Sequence, residues 1–285
     1  MPGKRLRRAL GLWLGRISGG DTVMDAGLIR KIGVNLADMR AFGPMILSRH
    51  LKKRHANPEM KVNVRGVGPV NIRAGESDIA TIRQVFLNRE YDTSHPTLLG
   101  ARIEARYREI LAQGGTPIIA DIGANIGAAS LWFLRQYPDA AIVAVEPEPA
   151  NAAVLKRNLD GRANAAVIEA AIGATPGFVA LDNAAQGWAV QTSRAEHGIA
   201  IVTVDEVLAH ATGDTPFIAK IDIEGFESDL FQSNLDWIAK CYVVMIEPHD
   251  WMMPGQGTSF AFQRAMAQHS FELFIRGENL LYVRL

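Results

Sequence analysis

The sequence predicts an α/β fold: a doubly wound parallel sheet that finishes in an antiparallel hairpin and follows a helical and hairpin extension. Three observations carry that prediction. From Thr116 onward short apolar runs alternate with helical patterns, the rhythm of a parallel sheet with crossover helices. The first run, Ile118-Ile119-Ala120-Asp121, breaks into a glycine-bearing turn, Ile122-Gly123-Ala124-Asn125-Ile126-Gly127, and then an alanine-rich helix. The chain closes on two further strands, Phe271–Ile275 and Leu280–Val283, around the turn Arg276-Gly277-Glu278-Asn279.

With 285 residues, 48% of them hydrophobic and 21% charged, the chain is long enough for one elaborated domain or a core plus a smaller extension. Its formal net charge is zero but unevenly placed: up to Arg65 there are 14 Lys/Arg against 4 Asp/Glu, and the remainder holds 16 against 26. Two readings follow, a basic arm that contacts an anionic surface or one that pairs with the acidic body. The lone cysteine, Cys241, excludes an internal disulfide and a cysteine-rich zinc site. At the head of an apolar run it reads as a buried, inert thiol. No apolar run approaches the ~18 residues of a membrane span. The short stretch Ala9–Leu14 lacks a small-residue cleavage site, so no signal peptide is expected and the cytoplasm is the default location.

In chain order, Leu6, Leu10, Trp13, Leu14 and Ile17 fall at helical spacing among basic residues. Such an arm can lie on an anionic membrane surface, giving peripheral contact through residues 4–17, or dock on its own protein or a second subunit. Gly19-Gly20-Asp21 reads as a linker, and helical patterns follow at 26–41 and 44–54, closed by Asn57-Pro58. Alternation of Val62, Val64, Val70 and Ile72 around Gly66–Pro69 predicts a hairpin. Ser77 or Asp78 can cap a helix carrying Ile79, Ile82, Val85 and Phe86, and another helix spans about 97–112. The core then reads as strand 117–121, helix 127–136, strand 141–146, helix 148–159 and strand 165–170. Extra strands, Gly177–Leu181 and Ile199–Val204, flank a polar loop holding Trp188, and the rhythm resumes with strand 216–222, helix 225–233, strand 241–247 and helix 259–269. The chain thus divides into a basic helical extension (1–58), a hairpin and helices (59–115) and a core (116–285).

Chemistry concentrates at the ends of the core strands. A strand, a glycine turn and a helix N-terminus form a nucleotide-binding corner, where glycines let backbone N–H groups approach a ligand. The Gly-x-x-x-Gly spacing with a leading Asp121 fits an adenosyl-methionine corner better than the dinucleotide fingerprint. Glu146-Pro147 ends the second strand, 25 residues after Asp121, near the ~20-residue interval at which a carboxylate meets a ribose. Further on, the buried run Phe217–Ala219 enters the charged cluster Lys220-Ile221-Asp222-Ile223-Glu224-Gly225-Phe226-Glu227. Charges are costly to bury, so these belong at the strand's ligand-facing end. Glu227 itself reads as a first-turn helix carboxylate. The neighbouring strand runs into Glu247-Pro248-His249-Asp250. There His249 is either a general base or a loop histidine held by Asp250. Asp222, Glu224, Glu247, His249 and Asp250 could also hold a hard divalent cation, but paired carboxylates alone do not single one out, and no metal is expected.

Taken together, Asp121–Gly127, Val145-Glu146-Pro147, Val204-Asp205 and Lys220–Glu227 resemble an FkbM-type methyltransferase, as do the upstream segments Ile72–Asp78 and Arg89-Glu90-Tyr91. Ala74 stands where related sequences often have proline. The resemblance covers roughly residues 60–285 and leaves out the basic arm. It implies a Rossmann-like class I methyltransferase sheet with S-adenosyl-L-methionine as cofactor, typically O-methylating a sugar, a lipid-linked glycan or a natural product. Asp121, Gly123, Asn125 and Gly127 would then contact the methionine end, Glu146 with Pro147 the ribose, and Ala171 the adenine region. Lys220, Asp222 and Glu224 match the family's charged strand end, Asp222 facing the cofactor as well.

Methyl transfer from a sulfonium is an in-line displacement, so alignment is the main task and a base assists as the hydroxyl loses its proton. The candidate catalytic residues are His249 or Asp222 as base and Glu224 or Lys220 as acceptor-orienting group. The acceptor pocket is expected among the loop around Gln186-Gly187-Trp188, the segment before Thr116 and the turn at Met252-Met253-Pro254. A nucleic-acid substrate is not expected, because the acidic half would repel a polyanion. Two rival readings are a nicotinamide-dependent oxidoreductase, disfavoured by the missing Gly-x-Gly-x-x-Gly, and a non-catalytic scaffold tethered by its arm. Neither the acceptor nor the oligomeric state is legible in the sequence.

Overall fold

Every second residue of β1 (Glu59–Val64) is buried, and its tight return through Gly66 makes a hairpin with β2 (Gly68–Arg73). Around this hairpin lie α1 (Ala26–Phe42) and a 3-10 turn (Pro44–Ser48) before it, and α2 (Asp78–Phe86) and α3 (Thr97–Ala112) after it. The core follows as β3 (Pro117–Ile122), α4 (Ala128–Gln136), β4 (Ala141–Val145), α5 (Pro149–Leu159) and β5 (Ala165–Ile168). Four short strands come next: β6 (Ala171–Ile172), β7 (Gly177–Asp182), β8 (Gln191–Ala195) and β9 (Ile199–Val202). The chain ends with α6 (Val204–Ala209), β10 (Thr215–Ile221), α7 (Glu227–Leu230), α8 (Asp236–Lys240), β11 (Val243–Ile246), α9 (Phe260–Met266), β12 (Phe271–Arg276) and β13 (Asn279–Arg284). The structure is a computed structural model that describes residues 26–48, 59–74, 76–182 and 191–285. The predicted arm at 4–17, the Gly19–Asp21 linker, the end of the 44–54 helix, Asn57-Pro58 and the Trp188 loop lie outside the described residues.

Seven strands form the central sheet in the order β12-β13-β11-β10-β3-β4-β5. The five from β11 to β5 are parallel, and β13 runs antiparallel to both its neighbours. Strands β3, β4 and β11 are buried at every position, as apolar runs must be when helices cover both faces of a parallel sheet. Alternate residues serve opposite faces. Ile119, Ile142, Ala144, Ile218 and Met245 pack with Phe42, Ile72, Ile82, Ile103 and Phe133, joining the hairpin and α1–α4 to one side. Ala120, Ile122, Val143, Val145, Ala219 and Val244 pack with Val207, Trp237, Ile238 and Phe262 on the other. Each such valine, isoleucine, methionine or phenylalanine side chain contributes about 1.5–3 kcal/mol by leaving water. A second sheet, β6-β9-β7-β8, lies beside this one.

Four local expectations are corrected. Ser77 makes no capping hydrogen bond; Asp78 instead accepts from the Arg73 backbone N–H at 2.6 Å and its guanidinium at 2.8 Å, tying α2 to the hairpin. Val204 starts a helix rather than ending a strand, because Thr203 and Glu206 form a reciprocal capping box. The helix expected at 225–233 is the single turn α7, and α8 follows it as a separate helix. Strand β8 was not expected at all: its sequence, Gln-Thr-Ser-Arg-Ala, has no apolar alternation and is ordered by pairing with β7.

Candidate functional site

The strand register brings the chemistry to one level. Ile122 pairs with Val145 on one side and Ile221 on the other, and Ile221 pairs with Ile246. The residues that follow, Gly123, Glu146, Asp222 and Glu247, therefore sit together at the carboxyl ends of four adjacent parallel strands. Strand order reverses at β3, which has β4 on one flank and β10 on the other, and this is where open α/β sheets form a ligand crevice.

Gly123 has φ +75°, and a Cβ there would stand 1.7 Å from the Asp222 carbonyl oxygen. The glycine lets the turn press against the end of β10. Its amide and that of Ala124 donate to the Val145 carbonyl at 3.0 and 2.9 Å, and the Asn125 amide, at φ +50°, donates to Glu146 Oε2 at 2.8 Å. These N–H groups hold β4 and Glu146, which corrects the expectation that they are open to a ligand. Glu146 Oε1 accepts from the Glu148 amide at 3.0 Å and from Asn151 Nδ2 at 3.3 Å. Burial pushes its carboxyl up to about 7, and the donors from Glu148, Asn125 and Asn151 offset that only in part.

Two cavities meet at this turn. The first, of about 700 Å³ and partly open to solvent, is lined by Glu146, Pro147, Glu148, Asn151, Ala171 and Phe226, among others. The second, of about 1030 Å³, is lined by Thr81, Gln84, Tyr91, Lys220, Glu247 and His249, among others. Gly123, Asn125, Asp222 and Glu224 line both and so form the wall between them. In that wall Asn125 Oδ1 is buried and makes no hydrogen bond with any described residue, which marks an acceptor awaiting a donor from a bound molecule.

Of the sequence-predicted residues, Asp121 and Gly127 line neither cavity. Asp121 is fully buried behind the turn, accepting from Ser130 Oγ at 2.5 Å and facing Lys220 Nζ at 3.3 Å. Lys220 is buried too and donates to the Gly123 carbonyl at 2.6 Å. Burial works against its charge, but Tyr91, Asp121 and Asp222 more than reverse this, so its pKa is raised and the ammonium persists.

His249 sits in the wall of the second cavity, 1% exposed. Asp250 does not hold it: Asp250 bonds Thr258 and Ser259 instead. Its Nδ1 donates to Glu227 Oε1 at 2.6 Å, a contact across 22 residues that the sequence reading missed by taking Glu227 as a helix-turn carboxylate. Nothing in the spacing signals that pair, since it depends on how α7 folds back on the β11 loop. Nε2 faces Asp222 Oδ1 and Glu224 Oε2 at 3.6 Å and Glu247 Oε1 at 3.9 Å. Burial lowers the imidazole's affinity for a proton, but the Glu227 bond and the carboxylates raise it to about 9. With only these neighbours His249 carries a proton at neutrality and has no lone pair to act as a base. The segment before Thr116 does line the second cavity, while at the expected turn it is Trp251 that faces it and Met253 packs over Gly225.

Residues 121–273 match the family model described as the methyltransferase FkbM domain. A stretch of 69 residues is 44% identical to methyltransferase sdnD of Sordaria araneosa, covering 21% of this chain and 27% of that protein, so about a quarter of the relative is spanned. Among solved structures the chain is similar to a methyltransferase FkbM from Methylobacillus flagellatus KT: 16% identity, TM-score 0.40, covering 59% of this chain and 43% of that one. It is also similar to the Podospora anserina methyltransferase PaMTH1, at 10% identity and TM-score 0.40, over 94% and 99% of the two chains. Among the described residues no helix is long and apolar enough to cross a membrane.

Proposed function

Because this chain belongs to the FkbM methyltransferase family, whose cofactor is S-adenosyl-L-methionine, we propose that it O-methylates a hydroxyl of a sugar, glycan or natural product. The observation that supports this best is the shared wall. One cavity offers a carboxylate and apolar walls, the other a carboxylate and imidazole cluster, and Gly123, Asn125, Asp222 and Glu224 separate them. Glu146 and Asn125 would hold the ribose and methionine ends, and Ala171, Ile172 and Phe226 the base. Bound cofactor would supply an electrophilic methyl carbon to the acceptor oxygen, its sulfur keeping the electron pair of the bond that breaks. Asp222, Glu224 and Glu247 face the acceptor cavity, and Asp222 receives the hydroxyl proton with Glu224 beside it. Tyr91, Thr81 and Gln84 line that cavity and orient the acceptor.

The test is a cell extract or a panel of polyols incubated with methyl-labelled cofactor, reading product mass and the methylated atom. Asp222→Asn is expected to lower turnover about 10²-fold. A labelled nitrogen or carbon, or wild-type turnover in both Asp222→Asn and Glu224→Gln, would reject the assignment.

A pH dependence follows from Glu146. Ribose hydroxyls donate to a carboxylate, so binding favours the ionised form, and the free protein holds that group at about 7. Cofactor affinity is therefore expected to be full above that value and to fall by up to about tenfold per pH unit below it. The empty protein shows the opposite sign, since ionising this buried carboxyl costs stability as pH rises towards 7. Calorimetric titrations from about pH 5.5 to 8 check this, and Glu146→Gln should be weaker and flat. A wild-type profile with no slope would remove Glu146 from the cofactor's contacts.

A further inference from the structure

The cluster around His249 Nε2 is too loose for hydrogen bonding and too charged to be left alone. Its three nearest carboxylate oxygens lie at 3.6, 3.6 and 3.9 Å, beyond the ~3.2 Å reach of a hydrogen bond. Around a six-coordinate cation with bonds of about 2.1 Å, neighbouring ligand atoms stand about 3.0 Å apart and opposite ones about 4.2 Å. The observed separations fall between those limits, and the ligand atoms of Asp222, Glu224 and His249 all lie within 4.8 Å of one another.

Two independent features point the same way. Glu247 is 7% exposed, yet its side chain hydrogen-bonds to no described residue and has only His249, at 3.9 Å, as a cationic neighbour within ion-pairing distance. A carboxylate buried in that state is costly unless a proton or a cation joins it. The second feature is the orientation of the ring. Glu227, fully buried, is bonded to Nδ1 at 2.6 Å and so turns the other ring nitrogen towards the carboxylates, the outer carboxylate–histidine arrangement that orients metal-ligating imidazoles. Lys220 does not fill that role: its ammonium donates to the Gly123 carbonyl and reaches only Asp222 Oδ2 of the cluster, at 3.5 Å, and it pairs with neither Glu224 nor Glu247.

We propose that Asp222, Glu224 and His249, with Glu247 beside them, bind a divalent cation in the wall of the second cavity. Several hard carboxylate oxygens favour Mg²⁺ or Mn²⁺, and the imidazole tilts the choice to Mn²⁺. The sequence offered these residues, with Asp250, as possible ligands without singling out a metal; the geometry of Nε2 and the isolation of Glu247 exist only in the folded chain, where Asp250 bonds Thr258 and Ser259 instead. A cation there would take the acceptor's oxygen as a further ligand; that role, unlike the site itself, rests on the methyltransferase reading.

The probe is MnCl₂ added to the full chain with no cofactor or acceptor, following the loss of the free Mn²⁺ resonance. One ion per chain is expected. Glu224→Gln, at a partly exposed position, should weaken binding at least about tenfold, and Glu227→Gln about 10- to 100-fold. Glu104→Gln, at a partly exposed position on α3 paired with Arg108, should leave it unchanged. Absence of saturable binding, or equal binding by a folded Glu224→Gln protein, overturns the site. Because neither cofactor nor acceptor is present, that failure is distinct from a failure of methyl transfer.

Discussion

Gly123→Ala is expected to destabilise the protein by about 3 kcal/mol or more and to abolish cofactor binding. Two effects add. The residue has φ +75°, where an L side chain is strained, and its Cβ would lie 1.7 Å from the backbone oxygen of Asp222. Because that atom is main chain at the end of a buried strand, relief requires moving β10 or the turn. Either movement would separate Asn125 from Glu146 and reshape the wall between the cavities. Gly127→Ala is the informative contrast. It shares a positive φ, +83°, but its Cβ would meet only the tip of Leu155, at 2.6 Å. A leucine methyl can rotate away, so a loss of about 1–2 kcal/mol is expected, with binding retained. Denaturant midpoints and calorimetric titration compare the pair; a Gly123→Ala protein that unfolds and binds like Gly127→Ala would show that the close approach is not required.

The reason the strands were legible and the site was only partly so lies in the range of the interactions. Ile118–Ala120 and Val243–Ile246 are continuous apolar runs because helices cover both faces, and this is a local signature. Glu146 and Asp222 were legible because an acidic residue after such a run must leave the core at the strand end. Helix α6 was also within reach, since Thr203-x-x-Glu206 is a capping box, but the β-branched run before it reads as strand. By contrast, Asp121 looks like a ligand contact in sequence and lies behind the turn in the fold. Its partners, Ser130 and Lys220, are set by packing rather than spacing. The Glu227–His249 pair likewise depends on two loops meeting, which no periodicity encodes.

That hidden layer gives the second large effect. Lys220→Met should cost about 3–5 kcal/mol, the loss typical of removing one partner of a buried ion pair. Its ammonium, on a side chain 2% exposed, serves the Gly123 carbonyl at 2.6 Å, Asp121 at 3.3 Å and Asp222 at 3.5 Å, and lies 5.6 Å from the centre of the Tyr91 ring. Without it Asp121 stays buried with only the Ser130 hydroxyl, and the Gly123 carbonyl loses its donor. The penalty therefore lies chiefly in what is left behind. Neutralising it should restore stability, so Asp121→Asn combined with Lys220→Met is expected to be more stable than Lys220→Met alone, with a coupling of about 2 kcal/mol in a double-mutant cycle. If Lys220 instead served mainly to orient the acceptor, Lys220→Met would keep its unfolding midpoint and lose turnover alone, and Asp121→Asn would not rescue it. Urea midpoints at constant m, read beside turnover, separate the two accounts. The structure predicts the first, because the ammonium, although its residue lines the second cavity, donates to the Gly123 carbonyl and pairs with buried Asp121.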